Sequence, residues 1–152
     1  GRFNDVSGTI VWDDADPAAS SVNVLIKADS IDSGNADKDK HLKSGDFFSV
    51  KEFPEVTFVS KSIAKKGNAY EITGDFTMHG VTKRHNVHQR LLCRSKTSLG
   101  HVDARKHAAI ITILHVGFDS QFAIKRSDYG MSFGLPGVGD EVTIIFASEG
   151  MK

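Results

Sequence analysis

The strongest constraint on this chain is apolar character that returns at every second residue. From Tyr70 to His79 the apolar positions are Tyr70, Ile72, Phe76 and Met78, with Gly74 in step. Glu71, Thr73, Asp75, Thr77 and His79 fill the positions between. Successive side chains of a β-strand point to opposite faces, so this text describes a strand with one dry side and one wet side. The period recurs along the chain. Val22, Val24, Ile26 and Ala28 alternate with Asn23 and Lys27. Val116, Phe118, Phe122 and Ile124 alternate with Asp119, Gln121 and Lys125. Val142, Ile144 and Phe146 repeat the pattern near the end, and Val6, Ile10 and Trp12 do so near the start.

Turn chemistry separates these runs. Asp13 to Ala19 contains Asp-Asp-Ala-Asp-Pro, and Lys65 to Asn68 reads Lys-Lys-Gly-Asn, a hairpin loop between two strands. Leu135 to Asp140 is rich in Gly and Pro and reads as a loop. One helix is expected, short, around 35–44, with Asp37, Lys38 and Lys40 in water and Ala36 and Leu42 inward, ending at Gly45. Strands with one apolar face, tight loops and a single short helix make an all-β antiparallel sandwich or barrel.

At 152 residues the chain is one domain by length, large enough to bury a core without disulfide or metal staples. A formal net charge of zero gives no electrostatic reason to expect a nucleic-acid partner. Phe is the dominant aromatic, ten copies against two Tyr and one Trp, which favours a greasy interior. Cys93 stands alone, so no internal disulfide forms and no Cys-based zinc site closes. No apolar run approaches the roughly 20 residues of a membrane helix, and no signal peptide is expected within this text. The opening Gly-Arg-Phe-Asn-Asp-Val-Ser-Gly looks like the inside of a strand, so the expectation is that the natural N-terminus lies further upstream.

One segment breaks the pattern. From Arg84 to His115 alternation is lost, and five of the seven histidines gather there with the only cysteine. The expectation is an atypical segment, with a slip of reading frame as the proposed cause. Reading Arg-His-Asn-Val-His one base later yields Ile/Thr-rich text that suits a strand, and the register returns near His115, where Val116-Gly117-Phe118 fits again. As a metal site the segment is weak. His85 and His88 share a face only on a helix, no amphipathic helix is evident, and carboxylates to orient the ligands are scarce.

Other polar groupings have plain explanations. Asp37, Asp39, His41 and Asp46 could be read as acid–base machinery, but Asp and Lys side chains around a short helix need only cap and solvate it. Gly137-Val138-Gly139-Asp140 lacks the Lys-Ser/Thr and following helix of a phosphate loop and reads as a turn before the last strand. Ser127 or Asp128 is expected to bond nearby backbone at a strand exit, with Gly130 permitting the turn, in preference to touching a ligand. No catalytic residue, metal or cofactor is expected.

Several pieces taken together resemble one family. They are Gly34-Asn35-Ala36-Asp37-Lys38-Asp39-Lys40-His41-Leu42-Lys43-Ser44-Gly45-Asp46-Phe47-Phe48, then Lys51-Glu52-Phe53-Pro54-Glu55-Val56-Thr57-Phe58, Gly74-Asp75-Phe76-Thr77-Met78-His79-Gly80-Val81-Thr82-Lys83, Lys125-Arg126-Ser127-Asp128-Tyr129-Gly130-Met131 and Gly137-Val138-Gly139-Asp140-Glu141-Val142. In this order and spacing they resemble the YceI-like family, and the likeness covers nearly the whole chain outside 84–115. The resemblance implies an eight-stranded antiparallel barrel of lipocalin type with a helix near one end. It implies export to the periplasm or secretion, and binding of an isoprenoid or other amphiphilic, fatty-acid-like lipid inside the barrel. A family strand expected before Val6 is missing from this text, so one or two strands are expected to be absent and the barrel open. A homodimer is left as an open expectation.

The binding residues expected on this reading are the inward-parity positions Val24, Ile26, Phe58, Phe76, Met78, Phe118, Phe122 and Phe146. Phe47 and Phe48 join them, lying with Phe53 between helix and strand as plug or mouth of the barrel. Two rivals stand beside this reading. One is a packed structural or stress-related barrel without ligand, and the other an enzyme using the Asp37–His41 cluster.

Overall fold

The alternating segments meet one another as a single curled ladder. The computed structural model describes residues 1–13, 15–99 and 111–151, and the side chains of those outside 89–119 and 147–151. In chain order the elements are β1 (Arg2–Phe3), β2 (Val6–Val11), β3 (Ser21–Lys27), β4 (Ile31–Asp32), α1 (Ala36–Leu42), β5 (Glu55–Lys66), β6 (Ala69–Met78), β7 (Val81–Leu99), β8 (Ile111–Lys125) and β9 (Glu141–Met151). Seven of them form one antiparallel sheet in the order β2-β3-β5-β6-β7-β8-β9, while β1 pairs with β4 in a small flap. Phe146 on β9 packs against the cluster of Val22 and Val24 on β3, although four strands lie between them in the sheet. That contact requires the sheet to curl into a half-barrel. Among the described residues β2 and β9 remain its two unpaired edges.

Local chemistry explains the joints. The β5–β6 loop is the expected two-residue hairpin, with Lys66 opposite Ala69. The β6–β7 loop is His79-Gly80, and both residues have positive φ, 51° and 73°. A two-residue turn with positive φ at both central positions matches the twist of the strands it joins. His79 is held in this unfavourable region by its Nδ1, 2.9 Å from the Tyr129 carbonyl, and by the Phe53 ring 4.5 Å away. In α1, Asn35 caps the first turn by accepting from the Lys38 amide at 3.0 Å. Asp37 and Asp39 sit in the first turn and Lys40 and His41 in the last, matching the helix dipole.

Three expectations need correction. Ala36 is exposed, not inward, because it opens the helix and offers little surface to bury. Asp39 turns inward instead, its carboxylate accepting from the Ser33 amide at 2.8 Å. The helix also stops at Leu42, short of Gly45. The third correction concerns the stretch after Lys83, which continues as strand even though its apolar pattern is lost. Ten consecutive residue pairs, from Ala69↔Arg90 to Met78↔Val81, tie β7 to β6 through backbone groups that do not depend on side-chain type. Burial still alternates there: Val81, Lys83, His85 and Val87 face in, Thr82, Arg84, Asn86 and His88 face out. A lysine stem and an imidazole ring occupy inward positions where the apolar pattern alone finds no strand. The reading-frame account of residues 84–115 is a separate matter, and most of that stretch lies outside the described side chains.

Apolar packing falls into two clusters on the concave face. Ala28, Val56, Phe76, Met78, Ile124, Tyr129 and Met131 form the first and are almost fully buried. Val22, Val24, Ile63, Tyr70 and Ile72 form the second, with Trp12 edge-on to Tyr70 at 4.7 Å. Ile26 and Phe58 touch both clusters.

Candidate functional site: an apolar trough in the half-barrel

Where the two clusters meet, packing is incomplete. A partly open cavity of about 50 Å³ lies there. Protein interiors rarely leave voids larger than a water molecule, so an apolar trough of this kind is a place for something else. Its walls come from inward positions of six strands: Val22, Val24 and Ile26 on β3, Phe58 on β5, Ile72 and Phe76 on β6, Val87 on β7, Ser120 and Phe122 on β8, Ile144 and Phe146 on β9.

Strand register places the aromatic walls. Phe58 and Phe76 stand directly opposite each other on β5 and β6. Phe76 meets Phe122 edge-on at 5.4 Å and Tyr129 at 5.7 Å. Gly74, one inward step from Phe76, is what lets Phe58 lie down over the sheet. A Cβ built on Gly74 would stand 2.3 Å from the Phe58 ring. Beyond Ser60 the ladder shifts register, so Lys61 is extra and Ile63 regains the inward face.

Polar chemistry closes one end. Tyr129 is completely buried, and its hydroxyl lies 2.6 Å from His85 Nε2. Burial pushes the Tyr129 hydroxyl up to about 12, and burial, helped by the Lys83 charge, holds His85 below the usual imidazole value. The His85 ring also packs on Phe76 and Phe122, two walls of the trough. Beneath them Arg126 is buried with its guanidinium donating to three carbonyls, of Gly139 at 2.8 Å, Met131 at 2.7 Å and Val138 at 3.0 Å. Ser127 donates from its amide and its hydroxyl to the Asp140 carboxylate at 2.9 and 2.8 Å. These bonds hold Asp140 below the usual carboxylate range, the amide bond contributing most. The Arg-Ser-Asp run is thus a strand exit pinned to the loop before β9, with Gly130 in the left-handed region.

Of the ten residues the sequence nominates, the structure brings six together in the trough: Val24, Ile26, Phe58, Phe76, Phe122 and Phe146. Met78 belongs to the packed first cluster and not to the trough walls. Phe48 packs on that cluster from the far side and meets Phe3 edge-on at 5.5 Å. Phe47 meets His41 and Phe133 edge-on, with the Arg126 guanidinium 5.8 Å from its ring centre. Phe47, Phe48 and Phe53 therefore form a plug around α1 and the β6–β7 turn and do not line the opening. Phe118 sits on β8 opposite Leu91 and Ser148, and its side chain lies outside the described residues.

Sequence reasoning missed Val22, Ile72, Val87, Ser120 and Ile144. Val22, Ile72 and Ile144 carry the right parity, and the aromatic emphasis passed over them. Ser120 has no apolar signal at all. The acidic group around α1 does not converge. His41 Nε2 reaches Asp46 at 2.9 Å with both side chains about half exposed (48% and 50%), while Asp39 is spent on Ser33. Among the described residues no three His, Cys, Asp or Glu side chains gather as metal ligands. Among the described residues no helix is long and apolar enough to cross a membrane.

Comparison with known proteins agrees with this geometry. Residues 1–149 match the family profile described as "YceI-like domain". The chain is 34% identical over 152 residues to a UPF0312 protein of Pectobacterium atrosepticum, covering all of this chain and 73% of that one. Protein YceI of Salmonella arizonae gives the same identity and coverage. Among solved structures, the Campylobacter jejuni YCEI protein superposes with a TM-score of 0.84 at 27% identity, covering 99% of this chain and 83% of that one. BcnA of Burkholderia cenocepacia superposes with a TM-score of 0.82 at 26% identity, covering 97% and 85%.

Proposed function

The chain belongs to the YceI-like domain family, and from that premise we propose that it binds and carries an isoprenoid or other amphiphilic lipid in the concave trough, without chemistry. The observation that carries the reading is the trough itself, whose walls among the described residues are ten apolar side chains and one hydroxyl. Each ligand CH₂ that leaves water there contributes about 0.8 kcal/mol, so a prenyl or acyl chain of several units binds well after its entropic cost. The open edges between β2 and β9 leave the trough reachable from the side, which suits a long ligand better than an enclosed chamber would. A periplasmic or secreted setting goes with this reading, as does a lipid partner in place of nucleic acid.

Displacement of an environment-sensitive fluorescent fatty acid tests it. Phe146→Ala, which removes a half-buried wall, should weaken binding about tenfold, as expected for loss of an aromatic contact surface. His41→Ala, on the exposed pair beside α1, should leave it unchanged. The reverse ranking would favour a polar-site function.

A further inference from the structure

We propose that Ser120 is a polar rung inside the trough that selects and positions a lipid bearing a hydrogen-bonding oxygen, such as an isoprenol or a fatty acid, over a plain hydrocarbon. The inference rests on the lipid-binding reading and deepens it.

Among the described residues Ser120 is the one hydroxyl in the trough walls; the other ten described lining side chains are aliphatic or phenyl. It stands on β8 between Gln89 of β7 and Phe146 of β9, on the same inward face as Phe122, and it is half-buried. Its hydroxyl makes no hydrogen bond with the described residues. The contrast with its neighbours is direct. Ser60, also half-buried, uses its Oγ to accept from the Val22 amide at 2.8 Å. His85 commits Nε2 to Tyr129. Ser127 is spent on Asp140.

A hydroxyl in an apolar wall is tolerated while water can reach it, and the open trough admits water. An alkyl chain laid across it expels that water and leaves the hydroxyl without the hydrogen bonds it had, which weakens binding. A ligand with an oxygen at that level replaces the lost bond. Ser120 therefore discriminates between ligands of equal length and fixes how far an amphiphile slides along the trough. Serine both donates and accepts, so alcohol, carboxyl and carbonyl oxygens all fit.

The test compares displacement of the fluorescent fatty acid by an isoprenol and by the hydrocarbon of the same skeleton lacking the hydroxyl. The wild-type protein should prefer the isoprenol by about five- to tenfold, the factor one hydrogen bond carries. Ser120→Ala should abolish the preference while keeping or improving hydrocarbon binding, and Ser120→Thr, which restores a hydroxyl, should retain it. Equal binding of the two competitors by the wild-type protein overturns the role of Ser120 and leaves the lipid carrier standing. So does an undiminished preference in Ser120→Ala. If neither competitor nor the fluorescent probe binds the folded wild-type protein, the carrier reading falls and this inference with it.

Discussion

Burial raises the Tyr129 hydroxyl to about 12 and lowers His85, so both are uncharged near neutrality and share one proton-mediated contact at 2.6 Å. Removing the hydroxyl by Tyr129→Phe leaves His85 Nε2 without its partner, and should cost about 1–3 kcal/mol in denaturant unfolding. The pair also has a pH signature. The unfolded imidazole takes up its proton near the ordinary value of 6.5, while the folded one resists it. The contribution to stability is whole above that value and is lost as pH falls through the depressed folded value. The carboxylates held low in the fold, Asp32, Asp75 and Asp140, keep their contribution until pH falls below the ordinary 3.8. Thermal midpoints should therefore decline between about pH 7 and 5, and the decline should shrink in His85→Gln; equal slopes in the two proteins would contradict this role. At Gly74 the constraint is steric. Gly74→Ala forces the Phe58 ring away from the sheet and should cost about 1–3 kcal/mol, with the ring driven into the trough.

Elements differ in how openly the sequence announces them. β6 is legible in full because one face is dry and the other wet along its whole length, and its burial alternates without a break. β5 is only half legible: the register shift between Ser60 and Ser62 moves the inward parity, and no residue type marks it. β7 is hidden because Lys83 and His85 hold inward positions, Lys83 sending its ammonium to Asp128 at 3.4 Å while its stem stays under the sheet. The trough is legible where aromatics line it and hidden at Ser120, since a serine looks the same in a wall and on a surface. The family likeness locates the run from Lys125 to Met131, yet its work becomes visible only when Arg126 is seen holding three carbonyls of the loop 131–139. Arg126→Ala leaves the buried Met131 carbonyl and the partly exposed Val138 and Gly139 carbonyls without their donor and should lower stability by about 1–3 kcal/mol, with Arg126→Lys recovering only part, because an ammonium lacks the fork. Urea midpoints of the two variants check the ranking. The frame account of 84–115 has its own check. Resequencing the encoding DNA should reveal a displaced base flanking that stretch, and an uninterrupted frame confirmed independently would remove the idea.

At the scale of the molecule, a seven-stranded sheet that curls without closing leaves a concave apolar face and two edges. Ile145, 74% exposed on β9, and Val11, 53% exposed on β2, put apolar side chains in water on both edge strands. Such edges invite pairing between chains, so Ile145→Lys should reduce light scattering in concentrated solution. Inside the curl, two packed clusters flank a trough that neither fills. Ile26 and Phe58 bridge the two clusters, and on the proposed reading the volume left beside them is where cargo lies. The most direct measurement is a native mass spectrum of the protein purified gently from its source, without organic solvent. The account predicts a second species heavier by the mass of one lipid, which disappears after solvent extraction and returns when an isoprenol is added back. A spectrum showing only the bare chain before extraction, and after addition of isoprenol or fatty acid, would contradict it.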